Sequence, residues 1–294
     1  MIKYLIKRIV KNLTTTQQRV AIKKFKRHIL SSVKKEEKVS LGQMRILLTE
    51  ELGLKKGDYI MVSSSFGNLN ADFSPLQLIE LLIDIIGEDG IIAMPYYPPL
   101  NSTEWARGNN VFDMRSTRSG MGVLTNVFSK MPLVMMSCHP TKAICVWGRP
   151  DLVETIIKEH EKSTTPFYWD SPYGRLLKMG SKSLCLGLKN IPMFHSIEDV
   201  ASKNYLGLYE KQKYSLALID KNGQQKSIDT YIHDVNILDK CMEPGDYVAW
   251  LKLSSYKKIY CGYKYCVLVD NTEILNATQK EFQNNNTRLS LGNG

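Results

Sequence analysis

The stretch from residue 58 to residue 94 constrains the fold more than any other part of this 294-residue chain. Asp58-Tyr-Ile-Met-Val62 reads as a buried strand. Ser74 and Pro75 then open an apolar segment that reaches Ile86 and stops at Gly87, the start and stop signals of a helix. Glu88-Asp-Gly90 turns the chain into a second strand over 91–94, which runs into Pro95. Strand, helix and strand at this spacing predict a crossover unit, and so a parallel or mixed sheet covered by helices.

Further elements fit that frame. Ser40 opens a helix expected over 40–52, closed by Gly53. Strands are expected at 133–137, 143–146, 184–188, 247–251 and 265–269, and a helix at 123–130. The sequence divides into a basic amphipathic arm (1–38), a compact α/β domain (39–275) and a polar tail (276–294) expected to fray.

Charge separates the arm from the domain. Residues 1–40 hold 12 Lys and Arg against Glu36 and Glu37, and the remaining 254 residues carry 27 charges of each sign. The net charge of +10 therefore belongs to one end, which excludes a nucleic-acid-binding body with a basic face throughout. Within the arm, Ile2, Leu5, Ile6, Ile9, Val10 and Leu13 recur at helical spacing among Lys3, Lys7, Arg8 and Lys11. Such an arm can lie through residues 1–30 on an anionic membrane surface, pack on its own domain or meet a twin subunit. No apolar run approaches the roughly 20 residues that span a bilayer. The basic residues recurring through the first dozen positions do not match a secretory signal. Six cysteines without a CxxC pair read as reduced thiols, so the expected location is cytoplasmic, with the arm able to reach the inner face of the membrane.

Familiar nucleotide and hydrolase motifs are missing. Gly180-Ser-Lys-Ser183 lacks the spacing of a phosphate-binding loop, Gly120-Met-Gly122 lacks the third glycine of a dinucleotide site, and no GxSxG is present. Three other segments carry candidate chemistry. Val62-Ser-Ser-Ser65 places hydroxyls at the carboxyl edge of a buried strand, which a plain turn would also explain. Phe112-Asp113 leads to Ser119-Gly-Met-Gly122, where glycines at a helix start expose N–H groups to ligand oxygens. Ser137-Cys-His139-Pro140 fixes His139 in extended backbone, either as a satisfied core histidine or as a base. Cys138 beside it points to the opposite face and makes a poor nucleophilic partner, and no ligand spacing supports a metal site. Asp170-Ser-Pro172 and His195-Ser-Ile-Glu198 supply carboxylates that can hold the His139 tautomer.

In this order these segments resemble the aminoglycoside 3-N-acetyltransferase family over about residues 40–270, together with Ala93-Met-Pro95 and Leu184 to Gly187. The resemblance implies an αβα layered sandwich with a mixed sheet flanked by helices. It also implies an acetyl-CoA-dependent N-acetyltransferase acting on a primary amine of an amino sugar, with acetyl-CoA as co-substrate and no metal. Carried over by position, it makes His139 catalytic with Glu198 and Asp170 as carboxylate partners. It places Ser64, Ser65, Ser119, Gly120, Met121 and Gly122 along the pantetheine, and Asp113 and His195 at the acceptor. The sequence departs from the family at Ser63, where His is usual, at Ala143, where Ser is usual, and at Asn126, commonly acidic.

A thioester is already activated, so the chemistry needs a base, an aligned amine and an oxyanion donor, the last expected from backbone N–H groups near Ser64 and Ser65. Because polycationic aminoglycosides gain nothing from a basic arm, the charge points to a nucleotide- or lipid-linked amino sugar of surface-polysaccharide assembly as acceptor. Antibiotic acetylation is the alternative, and a non-catalytic protein recruiting partners to membranes is a second one.

Overall fold

Alternation along three central strands decides which side chains enter which layer. Ile60 and Val62 of β1 (Tyr59–Ser64), Ile92 and Met94 of β2 (Ile91–Tyr96), and Leu184 and Leu186 of β6 (Lys182–Leu186) share one buried cluster. Met61, Ile91, Ala93 and Cys185 belong to a second cluster on the opposite face. Two cores on two faces of one sheet are what a period of two produces when both faces are covered.

The computed structural model describes residues 37–202 and 205–292. The helix and the membrane contact expected of the basic arm fall, up to residue 36, outside the described residues. No helix among the described residues is long and apolar enough to cross a membrane.

The main sheet has seven strands in the order β4-β5-β2-β1-β6-β10-β9. Here β4 is Met135–Met136, β5 Ala143–Trp147, β9 Lys257–Cys261 and β10 Lys264–Asp270. The central strands β1, β2 and β6 are parallel, and every outer pairing is antiparallel. A second sheet, β3-β7-β8, joins Phe112–Asp113, Tyr214–Ile219 and Gln225–Thr230.

Helices α1 (Leu41–Ile46), α2 (Pro75–Ile86), α3 (Ser102–Arg107) and α4 (Val123–Phe128) precede β4 in the chain. They are followed by α5 (Pro150–Ile157), α6 (Pro172–Lys178), α7 (Phe194–Ala201) and α8 (Val235–Leu238), and then by α9 (Pro244–Trp250), α10 (Asn271–Gln283) and α11 (Arg288–Gly292). Leu78, Leu82 and Ile86 of α2 cover the first face, while Leu176 of α6, Ile197 of α7 and Ile274 of α10 cover the second. The layered α/β sandwich expected from the sequence is the observed architecture. Its crossover helix α2 opens on a reciprocal capping box, Ser74 with Gln77, and its C-cap Gly87 has φ +66°, a conformation that favours glycine.

Two expectations change. Residues 247–251 lie in helix α9 and its end, not in a strand: Pro244 occupies the first turn and Asp246 favours the N-terminal pole of the peptide dipoles. The tail does not simply fray after residue 276, because α10 runs to Gln283 and Arg288 returns to the core with 3% exposure.

Candidate active site

The antiparallel turn that joins β4 to β5 fixes His139, and it fixes it inward. The ring is 1% exposed. Its Nδ1 accepts the backbone N–H groups of Thr141 at 3.2 Å and Lys142 at 3.0 Å. The neutral ring therefore carries its proton on Nε2, which donates to Thr230 Oγ1 at 3.0 Å. Burial, and next the neighbouring His160 and Lys142, hold its pKa well below the ordinary value. With both nitrogens committed to the protein, His139 offers no lone pair to a substrate.

The carboxylates expected to brace His139 are engaged elsewhere. Asp170 is exposed and accepts the Thr164 N–H at 3.0 Å and the Thr164 hydroxyl at 2.8 Å. Glu198, on α7, is 3% exposed and takes two parallel hydrogen bonds from Arg288, Nε to Oε1 and Nη2 to Oε2, each 2.8 Å. The chain closes this fork across 90 residues. Burial pushes the Glu198 pKa up, but the Arg288 charge, the nearby His195 and the hydrogen bonds from Arg288 outweigh it and leave the group below its ordinary value.

Three residues before Glu198 on the same helix, and so on the same face, stands His195. Its Nδ1 lies 3.4 Å from Glu198 Oε2, longer than a tight hydrogen bond and of a length that shortens when the imidazole gains a proton. This Nδ1 is buried and, among the described residues, meets no partner with hydrogen-bond geometry, so Glu198 faces it as a nearby charge, whereas the side chain as a whole keeps 21% exposure. Nε2 has no hydrogen-bond partner among the described residues, and the ring lines a cavity of about 340 Å³. Burial lowers the His195 pKa, Glu198 raises it, and the charges of Arg288 and Lys142 lower it further; the net shift is downward, so the ring is neutral at neutral pH. A neutral imidazole with a carboxylate behind one nitrogen and a cavity before the other is the arrangement of a general base.

His233 and Lys142 complete this wall of the cavity, and the sequence reading singled out neither. The His233 ring lies tilted against His195 at 4.6 Å and stacks on Phe167 at 5.4 Å between centroids. Lys142 places its Nζ 4.4 Å from the centre of the Tyr97 ring and 5.9 Å from that of Phe167. Neither residue lies in a sequence pattern that marks it; only the fold brings them to α7.

The glycine turn lines the same cavity through Gly120 and Met121. Ser119 Oγ donates to the Tyr97 carbonyl at 3.1 Å and accepts the Met121 N–H at 3.0 Å. Asn126 ties the turn down, donating from Nδ2 to the Ser119 and Gly122 carbonyls, each at 2.8 Å, and accepting the Ser119 N–H at 3.0 Å. Gly120 packs so closely that a Cβ would stand 2.8 Å from Pro99 Cα, and Gly122 has φ +105°, so both positions require glycine. A Cβ on Gly122 would lie 3.6 Å from the Ser64 carbonyl oxygen, which puts the β1 exit beside the turn.

Among the described residues the buried Ser64 Oγ has no hydrogen-bond partner, a polar group of the kind a pantetheine amide can satisfy. The Ser65 N–H is already spent on the Leu186 carbonyl at 2.9 Å, so it is not the oxyanion donor expected from the sequence. Asp113 stands apart from the cavity wall. Arg115 forks onto it at 2.9 and 3.0 Å, and hydrogen bonds from Arg115 hold its pKa well below the ordinary carboxylate value. Among the described residues no group of His, Cys, Asp and Glu is placed to hold a metal ion.

Comparison with known proteins bears on the family and the fold. The family model described as aminoglycoside 3-N-acetyltransferase matches residues 61–283. A curated relative, the SPbeta prophage-derived aminoglycoside N(3')-acetyltransferase-like protein YokD of Bacillus subtilis, is 27% identical over 179 residues. That match spans 51% of this chain and 62% of the relative, less than two thirds of its length. Among solved structures, AAC-IIIb with CoASH superposes with a TM-score of 0.68 at 20% identity, covering 85% of this chain and 98% of that one. AAC-VIa bound to sisomicin gives 0.68 at 19% identity, covering 85% and 99%. The fold is thus shared with these enzymes, and the chain belongs to the aminoglycoside 3-N-acetyltransferase family.

Proposed function

We propose that this protein transfers an acetyl group from acetyl-CoA to a primary amine of an amino sugar, with His195 as proton acceptor and Glu198 as the carboxylate that holds it. The observation that carries the reading is the cavity-facing His195 imidazole with Glu198 behind its Nδ1. An acceptor amine is protonated in water and must lose that proton to become a nucleophile. Once that first proton has gone to solvent, His195 Nε2 takes a second one from the nitrogen as it attacks the thioester carbon, and Glu198 stabilises the imidazolium that results. When the tetrahedral intermediate collapses, the carbon–sulfur bond breaks and the imidazolium proton passes to the departing thiolate. The Ser64 hydroxyl and the Ser119–Gly122 turn are the groups we assign to the pantetheine arm.

The family and the ligand of AAC-VIa favour an aminoglycoside over the nucleotide- or lipid-linked sugar expected from the arm's charge. The expectation of a non-catalytic recruiting protein has no counterpart in a cavity that presents a braced base. Release of coenzyme A thiol, followed while purified protein is mixed with acetyl-CoA and a panel of aminoglycosides and simple amino sugars, tests the reading. Amine-dependent thiol release is the expected result. Thiol release that no amine accelerates would refute it.

A further inference from the structure

We propose that Lys142 turns the acceptor specificity of this chain away from the polycationic aminoglycosides that the family alone would favour, by selecting an amine that carries an anionic group, carboxylate or phosphate, near the reacting nitrogen. This rests on reading the cavity as the acyl-transfer site. Lys142 lines the same cavity as His195 and His233, and none of the residues lining it is an Asp or Glu. Its ammonium makes no ion pair among the described residues; its neighbours are the faces of Tyr97 and Phe167. Aromatic faces compensate a cation in part, and a desolvated ammonium that still opens onto a cavity remains a ready partner for an anion.

The position of this lysine is built. The Lys142 N–H is bonded to His139 Nδ1 at 3.0 Å, its carbonyl accepts the Tyr173 hydroxyl at 3.3 Å, and β5 begins at the next residue. The buried ring that the sequence suggested as a base thus serves the turn that presents Lys142. Burial lowers the ammonium pKa to about 8, which leaves it charged in about nine molecules of ten at neutral pH. Its charge is felt at His195 and at His233, helping to keep both rings neutral, so the cation lies within electrostatic reach of the base. An acceptor with several ammonium groups and no anion meets this charge as repulsion, whereas an anion on the acceptor pairs with it and leaves the amine beside His195.

Glucosamine, glucosamine 6-phosphate and the polycation sisomicin, each with acetyl-CoA, compare the charge classes in wild type, Lys142→Gln and Lys142→Glu. The folded state of each variant is checked by its melting temperature, and coenzyme A affinity by titration. Wild type is expected to favour the phosphorylated amine over glucosamine by about tenfold or more in kcat/KM, a ratio that one added ion pair supplies. In Lys142→Gln the ratio should fall to about one. In Lys142→Glu it should invert, with turnover of sisomicin rising. Turnover with a charge preference that Lys142→Gln leaves in place overturns the proposal alone. A loss of coenzyme A affinity that accounts for the whole change also overturns it, by giving the cation to the phosphates of the donor. Absence of turnover with every amine in folded wild-type protein overturns the transferase reading and this proposal with it.

Discussion

His195→Ala is expected to reduce kcat by about 100- to 10,000-fold while the affinity for coenzyme A changes by less than about twofold, because the contribution of a positioned general base is of that size. The imidazole faces the cavity at the reacting end, whereas the donor is assigned to the Ser64 and Ser119–Gly122 side, so the two functions separate. Removing the ring leaves the helix intact: His195 sits in the first turn of α7, and Glu198 keeps its fork with Arg288. Rapid-quench turnover and a coenzyme A titration on the same preparation measure both quantities. A parallel fall in donor affinity would mean that His195 builds the donor site and does not act as the base.

Arg288→Ala is expected to destabilise the fold by about 3–5 kcal/mol, the cost of stranding one member of a buried ion pair. Glu198 and Arg288 are each 3% exposed, and among the described residues no other cation is bonded to this carboxylate, whose further neighbour is the neutral His195 ring at 3.4 Å. Arg288 also donates to the Met242 carbonyl at 2.7 Å and lies over the Phe194 ring, so the substitution loosens the α7–α9 region as well. The pair gives stability a definite pH dependence. Because the folded pKa of Glu198 is depressed below the ordinary 4.5, its contribution is present above that value and is lost as pH falls through the folded one. Urea melts at pH 7 and pH 4 measure this. Arg288→Ala should show the larger loss at pH 7, and equal losses at both would place the stabilisation elsewhere.

The crossover unit was legible because each of its boundaries is local. Ser74, Pro75 and Gly87 punctuate α2 through their own backbone needs, and two short apolar runs flank it. The strand expected at 247–251 failed for the converse reason: a five-residue apolar run has no period long enough to separate strand from buried helix, and the deciding signal was Pro244 upstream. The β7–β8 hairpin escaped notice although Asn222-Gly223 marks its turn, because its strands alternate polar and apolar residues too weakly to be found by burial alone.

In the site, the sequence holds both motifs, and the function we propose exchanges the roles expected of them. His139-Pro140 and His195-x-x-Glu198 read equally well as sequence, and burial decides between them. His139 points into the protein toward Thr230, and His195 toward the cavity. No local pattern could have shown that Arg288, in a tail read as polar, closes on Glu198, or that Lys142 opens onto the same space.

The pH dependence of kcat/KM for the acceptor, measured at saturating donor in wild type, His139→Ala and His195→Ala, tests the central claim most directly, since it reports the essential base before the acceptor binds. The wild-type kcat/KM should fall on acidification along a one-proton limb centred below the ordinary histidine value of 6.5, as the lowered pKa of His195 requires. The limb should persist in His139→Ala and vanish from the residual rate of His195→Ala. A limb that survives in His195→Ala and disappears in His139→Ala would contradict the account.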